Sequence, residues 1–307
     1  MTAAPGKAAG PGASETAAAP DSPATRGATI RELLAASRRA LEANDDPGGA
    51  PALEAELLLA RELGVDRAHL YAHPSAPVPP ETEQAVRARV RRRAAGEPLA
   101  YITGEQEFWS LPLEVTRDVL IPRPETEHLV ALTLERISPD AVVRVADIGT
   151  GSGAIALAIA SERPSAELHA VDVSAAALAV ARRNARRLGI GNVTFHRGRW
   201  CAPLEGAFDL IASNPPYIHA DDPHLRQGDL RFEPRIALTP GDDALSAFRA
   251  IAAGARDLLR PDGWLLFEHG FEQGPAVRAL LQEDGWRAVE SYRDLARKER
   301  VTAARRP

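Results

Sequence analysis

The chain is short of cysteine, lysine and long apolar runs, and each shortage closes off a class of protein. A single cysteine, Cys201, rules out an internal disulfide framework and any cysteine-based zinc site, so a reducing compartment is expected. No window approaches the ~18 consecutive apolar residues that a membrane-spanning helix needs. Residues 1–27 are rich in alanine, glycine, proline, serine and threonine, and every apolar run in them is broken, unlike the core of a secretory signal. These features predict a cytoplasmic protein without membrane contact, preceded by a disordered tail over 1–27. Lys7 and Lys298 are the only lysines, and 37 basic residues face 42 acidic ones for a formal charge of −5. No global field attracts nucleic acid, so no direct nucleic-acid binding is expected. The local run Arg87 to Arg93, with five arginines, reads as a solvated helix face rather than a contact for RNA or an acidic partner. His219, Asp221, Asp222 and His224 look like a metal cluster on paper, but Pro223 interrupts them and leaves no fixed ligand face, so no metal is expected.

What is present is enough apolar residue, 45% of 307, for a full core and two domains. From Thr29 the pattern turns helical: Ile30, Leu33, Leu34, Ser37 and Leu41 share a face, with Thr29 as N-cap and Glu32 as its capping-box partner. Residues 44–49 end that helix. A second runs from Ala52 to Leu63, with Leu53, Leu57 and Ala60 in period, and stops at Gly64; a third runs from Glu81 to about Ala95. His69 and His73 in this small bundle read as surface residues. Residues 99–122 mix β-branched and aromatic residues with turn formers and predict a linking hairpin. From about Arg123 strands and helices alternate, as in a doubly wound, mostly parallel α/β sheet. Strands are predicted near 142–148, 167–173, 193–197, 208–213, 263–268, 286–292 and 299–304, the last pair antiparallel. The domains so defined are 28–98, 99–122 and 123–307.

Two motifs carry chemistry. Val142 to Ile148 runs into Gly149-Thr150-Gly151-Ser152-Gly153 and then an apolar helix: strand, glycine loop, helix. The Gly-x-Gly-x-Gly spacing departs from the pyrophosphate-cradling Gly-x-Gly-x-x-Gly and favours S-adenosyl-L-methionine over a dinucleotide. The next strand ends in Asp172, placed to accept ribose hydroxyls. The second motif, Asn214-Pro215-Pro216-Tyr217, follows the apolar strand Phe208 to Ser213. Its two prolines hold a rigid arc with free carbonyls, an amide before and an aromatic ring after, which suits a planar NH2 group. The Asn214 side-chain oxygen and the Pro215 carbonyl are candidate acceptors for its two N–H bonds, and Tyr217 a candidate wall against its flat face.

In order and spacing these blocks resemble the protein-glutamine methyltransferases that act on peptide chain release factors, the PrmC or HemK family. The likeness runs from about Thr29 to Val301. It rests also on Glu107 to Leu111, Leu120 to Glu127, Asp222 to Leu225, Gly228 to Pro234 and Phe267 to Gly270. It implies a seven-stranded, mostly parallel Rossmann-like methyltransferase sheet, an N-terminal bundle that grips a release factor, and methylation of the glutamine in a Gly-Gly-Gln motif. S-adenosyl-L-methionine would lie against Gly149, Thr150, Gly151, Ser152, Gly153, Asp172, Trp200 and Asn214. The target amide would meet Asn214, Pro215, Pro216 and Tyr217, and a monomer is expected. Trp200 follows the third strand, where the family places a residue against adenine. Arg199 departs from the pattern, standing where relatives often carry an aspartate. Glu125, Arg231, Glu233, Glu268 and His269 fall in the shared blocks without an assigned role, Arg231 and Glu233 being a possible ion pair. An adenine-amino methyltransferase acting on nucleic acid would use the same acceptors, and a binding-only module would keep the bundle without the chemistry.

Overall fold

The computed structural model describes residues 27–43 and 49–307. The tail expected over 1–27 lies outside these residues except for Gly27, as do the turn residues 44–48.

The bundle comprises α1 (Ile30–Glu42), α2 (Pro51–Leu63), α3 (Arg67–Ala72) and α4 (Pro80–Ala94). The expected capping box starts α1: the Thr29 hydroxyl accepts from the Glu32 amide, and the Glu32 carboxylate accepts from the Thr29 amide at 2.8 Å. Gly64 ends α2 at φ +67°, a left-handed turn that suits glycine. The apolar face of α2 differs from the one its period suggested. Leu53 and Leu57 are 38% and 36% exposed, whereas Ala55, Leu58 and Leu59 are buried with Ala60. The phase is set by α4. Glu54 forms a two-pronged ion pair with the buried Arg93 at 2.9 and 3.0 Å, and Glu62 pairs with Arg89. Glu54, Leu58 and Glu62 fall on one helical stripe, so that stripe turns toward α4. The short α3, capped by Asp66, was not foreseen.

The linking hairpin is shorter than expected. Leu99–Thr103 forms a helical turn (α5), and only β1 (Glu105–Phe108) and β2 (Leu111–Glu114) pair. Their two-residue turn puts Trp109 and Ser110 at φ +53° and +58°, the left-handed pair of a hairpin turn whose twist matches the strands. Glu127 accepts the Trp109 amide and Glu162 the indole N–H, which holds a non-glycine residue in that region.

The larger unit runs α6 (Thr126–Glu135), β3 (Arg144–Ile148), α7 (Ala154–Glu162), β4 (Glu167–Asp172), α8 (Ala175–Leu188), β5 (Val193–Arg197), β6 (Phe208–Ser213), α9 (Arg235–Leu238), α10 (Ser246–Leu258), β7 (Leu259–Glu268), α11 (Gly274–Glu283), β8 (Arg287–Arg293) and β9 (Glu299–Arg305). The seven strands lie in the order β5-β4-β3-β6-β7-β9-β8, with β9 antiparallel to both neighbours. Strand positions match the expected ones to within a few residues. The strand expected at 263 begins at Leu259, because an irregularity between Phe208 and Leu210 carries Arg260 to Gly263 past the ladder. Leu129, Val145, Leu157 and Leu210 fill one face of the sheet, and Ile148, Ile211, Phe248 and Phe267 the other. The chain leaves β3 toward β4 and β5 on one side and returns to β6 on the other. The crevice is therefore at the carboxyl ends of β3 and β6, where the order reverses.

Candidate active site

Each glycine of the loop after β3 is required by its backbone. Gly149, Gly151 and Gly153 have φ of +81°, +56° and +87°, and a Cβ on Gly153 would lie 3.0 Å from Leu157 and 3.2 Å from Ala181. The loop folds across the end of β4: Gly149 and Thr150 donate to the Val171 carbonyl, each at 2.9 Å, and Gly151 donates to Asp172 Oδ2 at 2.9 Å. The other Asp172 oxygen accepts from the Ser174 amide at 2.8 Å. Both carboxylate oxygens are thus fixed with lone pairs to spare, and burial raises the Asp172 carboxyl above its ordinary value.

A cleft of about 290 Å³ opens beside this loop, lined by Gly149, Gly151, Asp172, Trp200, Asn214 and Pro216 among others. Thr150, Ser152 and Gly153 stand behind that wall. The Thr150 hydroxyl donates to Asp147 Oδ2 at 2.6 Å, and the Ser152 carbonyl accepts from Asn184 at 2.9 Å. Trp200, at φ +51°, lines the cleft while packing partly on the core cluster of Phe248 and Ile251, and the Arg199 guanidinium sits 5.8 Å from its ring centre. Asp118, Val119 and Leu120 also line the cleft. Only Leu120, the first residue of a shared block, was marked in the sequence.

A second pocket of about 60 Å³ adjoins the cleft, lined by Asn214, Pro215, Tyr217, Arg123 and Glu268. Successive residues of the motif therefore divide: Pro216 faces the cleft, Pro215 and Tyr217 face the slot, and Asn214 lines both. The Asn214 amide Nδ2 donates to Thr126 Oγ1 at 3.3 Å, which directs its Oδ1 away from the protein partner. Gln273 donates to the Tyr217 carbonyl at 2.9 Å and pins the motif to the loop after β7. Burial raises the Tyr217 phenol well above the ordinary range, so it stays protonated.

The Gly228 to Pro234 block is held differently from the pairing foreseen. Glu233 pairs with Arg123 at 2.7 Å and accepts from the Ile121 amide, whereas Arg231 donates to the Ala95 carbonyl at the end of α4. Arg87, Arg89, Arg92 and Arg93 of the basic run pair with Glu83, Glu62, Glu97 and Glu54, so the run serves the bundle itself. His69, His73, His219 and His224 are exposed. No group of three or more metal-ligating side chains occurs among the described residues.

Three buried side chains were left without a role by the sequence. The Asp147 carboxyl is pushed up to about 7 by burial, and its Oδ1 has no hydrogen-bond partner among the described residues. Glu268 lines the slot from the end of β7, and Thr126 reaches Asn214 from the start of α6; both fall in the shared blocks, which gave neither a role.

Residues 32–104 match the family model of the PrmC N-terminal domain, and residues 128–227 match that of the methyltransferase small domain. A release factor glutamine methyltransferase of Xylella fastidiosa is 52% identical over 256 residues, 83% of this chain and 93% of that one. One from Vibrio cholerae is 44% identical over 278 residues, 89% and 96% of the two chains. A methyltransferase structure from Pyrococcus furiosus, 19% identical, superposes with a TM-score of 0.50 over 71% of this chain and 96% of that one, which shows the shared fold. With identity of this level spanning the bundle and the sheet alike, the chain belongs to the release factor glutamine methyltransferase family.

Proposed function

We propose that this protein methylates the side-chain amide nitrogen of a glutamine, that of the Gly-Gly-Gln motif, in peptide chain release factors, with S-adenosyl-L-methionine as methyl donor. The observation that carries the reading is Asn214, the residue that lines both the cleft and the slot. The cleft suits the donor: its glycine turn brings backbone close to a ligand, Asp172 offers lone pairs to two ribose hydroxyls, and Trp200 offers a flat face for adenine. Bound there, S-adenosylmethionine supplies a methyl carbon on a positively charged sulfur.

The protein's own contribution is geometric. An amide nitrogen is a poor nucleophile, because its lone pair is delocalised into the carbonyl. Asn214 Oδ1 and the Pro215 carbonyl accept the two N–H bonds, aim the lone pair at the cleft and stabilise the positive charge that grows on nitrogen. Tyr217 closes the wall against the amide plane, and the small slot leaves little room for water beside the side chain. The helical bundle, residues 28–98, grips the protein substrate, the segment 99–122 links it, and residues 123–307 carry the chemistry. Mass spectrometry of a purified release factor, after incubation with the protein and isotopically labelled S-adenosylmethionine, should find one labelled methyl group on that glutamine. A folded protein that binds the donor yet leaves the release factor unmodified overturns the reading.

A further inference from the structure

A methyl group that leaves the cleft for the slot passes where the two cavities meet. Asn214 is the polar residue common to both, and Leu120 and Ala237 are the apolar ones. Leu120 comes from the segment that links the bundle to the sheet, and it forms one wall of the passage. Residues 117–123 are neither strand nor helix, so no backbone ladder fixes that wall. Side chains have to set its place.

Three buried side chains do so. The Tyr101 phenol donates to the Val119 carbonyl at 2.6 Å, and both residues are buried. That carbonyl and the Leu120 nitrogen belong to one planar peptide group, so the phenol fixes the plane that carries the Leu120 Cα. Before it in the chain, Arg117 donates to the buried Glu97 at 2.7 Å. Glu97 also takes a two-pronged bond from Arg92 of α4 at 2.8 Å, and Arg92 first, then Arg117, pull its carboxyl down to about 2. After it, Glu233 holds the Ile121 amide and Arg123.

Tyr101 also ties this wall to the bundle. It lies on α5, where Ile102 packs into the bundle core with Leu33 and Val86, while Tyr101 packs with Val119 and Ile121 and with Ala177 and Val180 of α8. Adjacent residues of one helical turn therefore join the two domains. Tyr101 lines neither cavity, so it acts only through what it holds. Resting on the function proposed above, we infer that Tyr101 is a positioning residue for methyl transfer. Through the Val119 carbonyl it holds Leu120 against the line from sulfur to nitrogen, in register with the bundle that grips the release factor. A misplacement of about 1 Å in reacting geometry can cost about 100-fold in rate, so a wall fixed by one buried hydrogen bond is a lever on turnover.

The test uses the full-length protein and Tyr101→Phe, which keeps the ring and deletes one O–H. At saturating S-adenosylmethionine, kcat for release factor methylation per folded molecule should fall by about tenfold, with KM for the release factor within about threefold of wild type. A residue that only stabilises the fold would lower the melting temperature and leave that kcat alone, so a kcat within about twofold of wild type overturns the inference. Leu120→Ala and the double variant complete a cycle. Because Tyr101 acts through Leu120, adding Y101F to L120A should lower kcat by less than about twofold, and a further loss of the full size seen in Y101F alone also overturns it. Hydrogen exchange gives a readout apart from turnover: in Y101F the amides of residues 117–121 should exchange about tenfold faster than in the wild type, while those of β3 and β6 keep their rates. Equal exchange over 117–121 overturns the hold on the wall. If the wild type itself leaves the release factor unmodified, the proposed function falls, and the exchange comparison still decides whether the phenol fixes this segment.

Discussion

Asn214 can orient a target amide only if its own amide is held one way round, and that is settled by a residue 88 positions earlier in the chain, Thr126. With Nδ2 given to the Thr126 hydroxyl, Oδ1 is the atom left for a ligand. Asn214→Ala should therefore lower turnover by more than about tenfold, as expected for loss of one preorganised polar group. The donor's dissociation constant, measured by calorimetry, should stay nearly unchanged, because Gly149, Gly151, Asp172 and Trp200 still line the cleft. Unchanged turnover would refute the acceptor role. The motif itself was legible because its four residues are contiguous, and their types state what they can do. Its supports were not. Thr126, Asp147 and Glu268 belong to a helix start and to two other strands, and no spacing in the sequence predicts that folding will bring them to one place. Thr150 and Ser152 show the converse: they sit inside a readable motif, yet their side chains do not line the cleft, because alternate residues of the glycine turn face opposite ways.

At the scale of elements, the strands were read almost to the residue, since a buried strand shows an apolar run bounded by turn formers. Helix α2 was placed correctly and rotated wrongly. Its sequence, PALEAELLLAREL, carries apolar residues on more than one side, so periodicity admits two faces. The choice falls to α4, where Arg89 and Arg93 meet Glu62 and Glu54. The same contacts answer four of the five arginines of the basic run within the bundle. Replacing Leu58, which is fully buried, by alanine should cost about 2–5 kcal/mol of unfolding free energy. Replacing the half-exposed Leu53 should cost under about 1 kcal/mol. Urea denaturation of the two variants checks the order, and equal losses would restore the face first read from the period.

Across the whole molecule, two buried carboxyls stand at the same edge of the sheet, Asp147 near the end of β3 and Glu268 at the end of β7, both pushed up to about 7 by burial. Neither aids folding at neutral pH. In the unfolded chain they would titrate near 3.8 and 4.5, so between those values and about 7 the native state binds more protons than the unfolded one. Stability contributed by these groups is therefore fully present below the unfolded values and is lost as pH rises through about 7. Perturbed groups of this kind gather where a protein does chemistry, and relieving them exchanges function for stability. Asp147→Asn and Glu268→Gln should each melt several degrees above the wild type at pH 8, and the gain should be clearly smaller at pH 5, where the native carboxyls are neutral but their unfolded counterparts are still partly ionised. Saturating S-adenosylmethionine should raise the wild-type melting temperature more at pH 8 than at pH 5, because a sulfonium favours the ionised forms that the fold alone resists. Thermal scans of the three proteins at the two pH values, with and without the donor, measure all of this. A gain for the two variants that is the same at both pH values would show that packing, and not the buried charge, sets the difference.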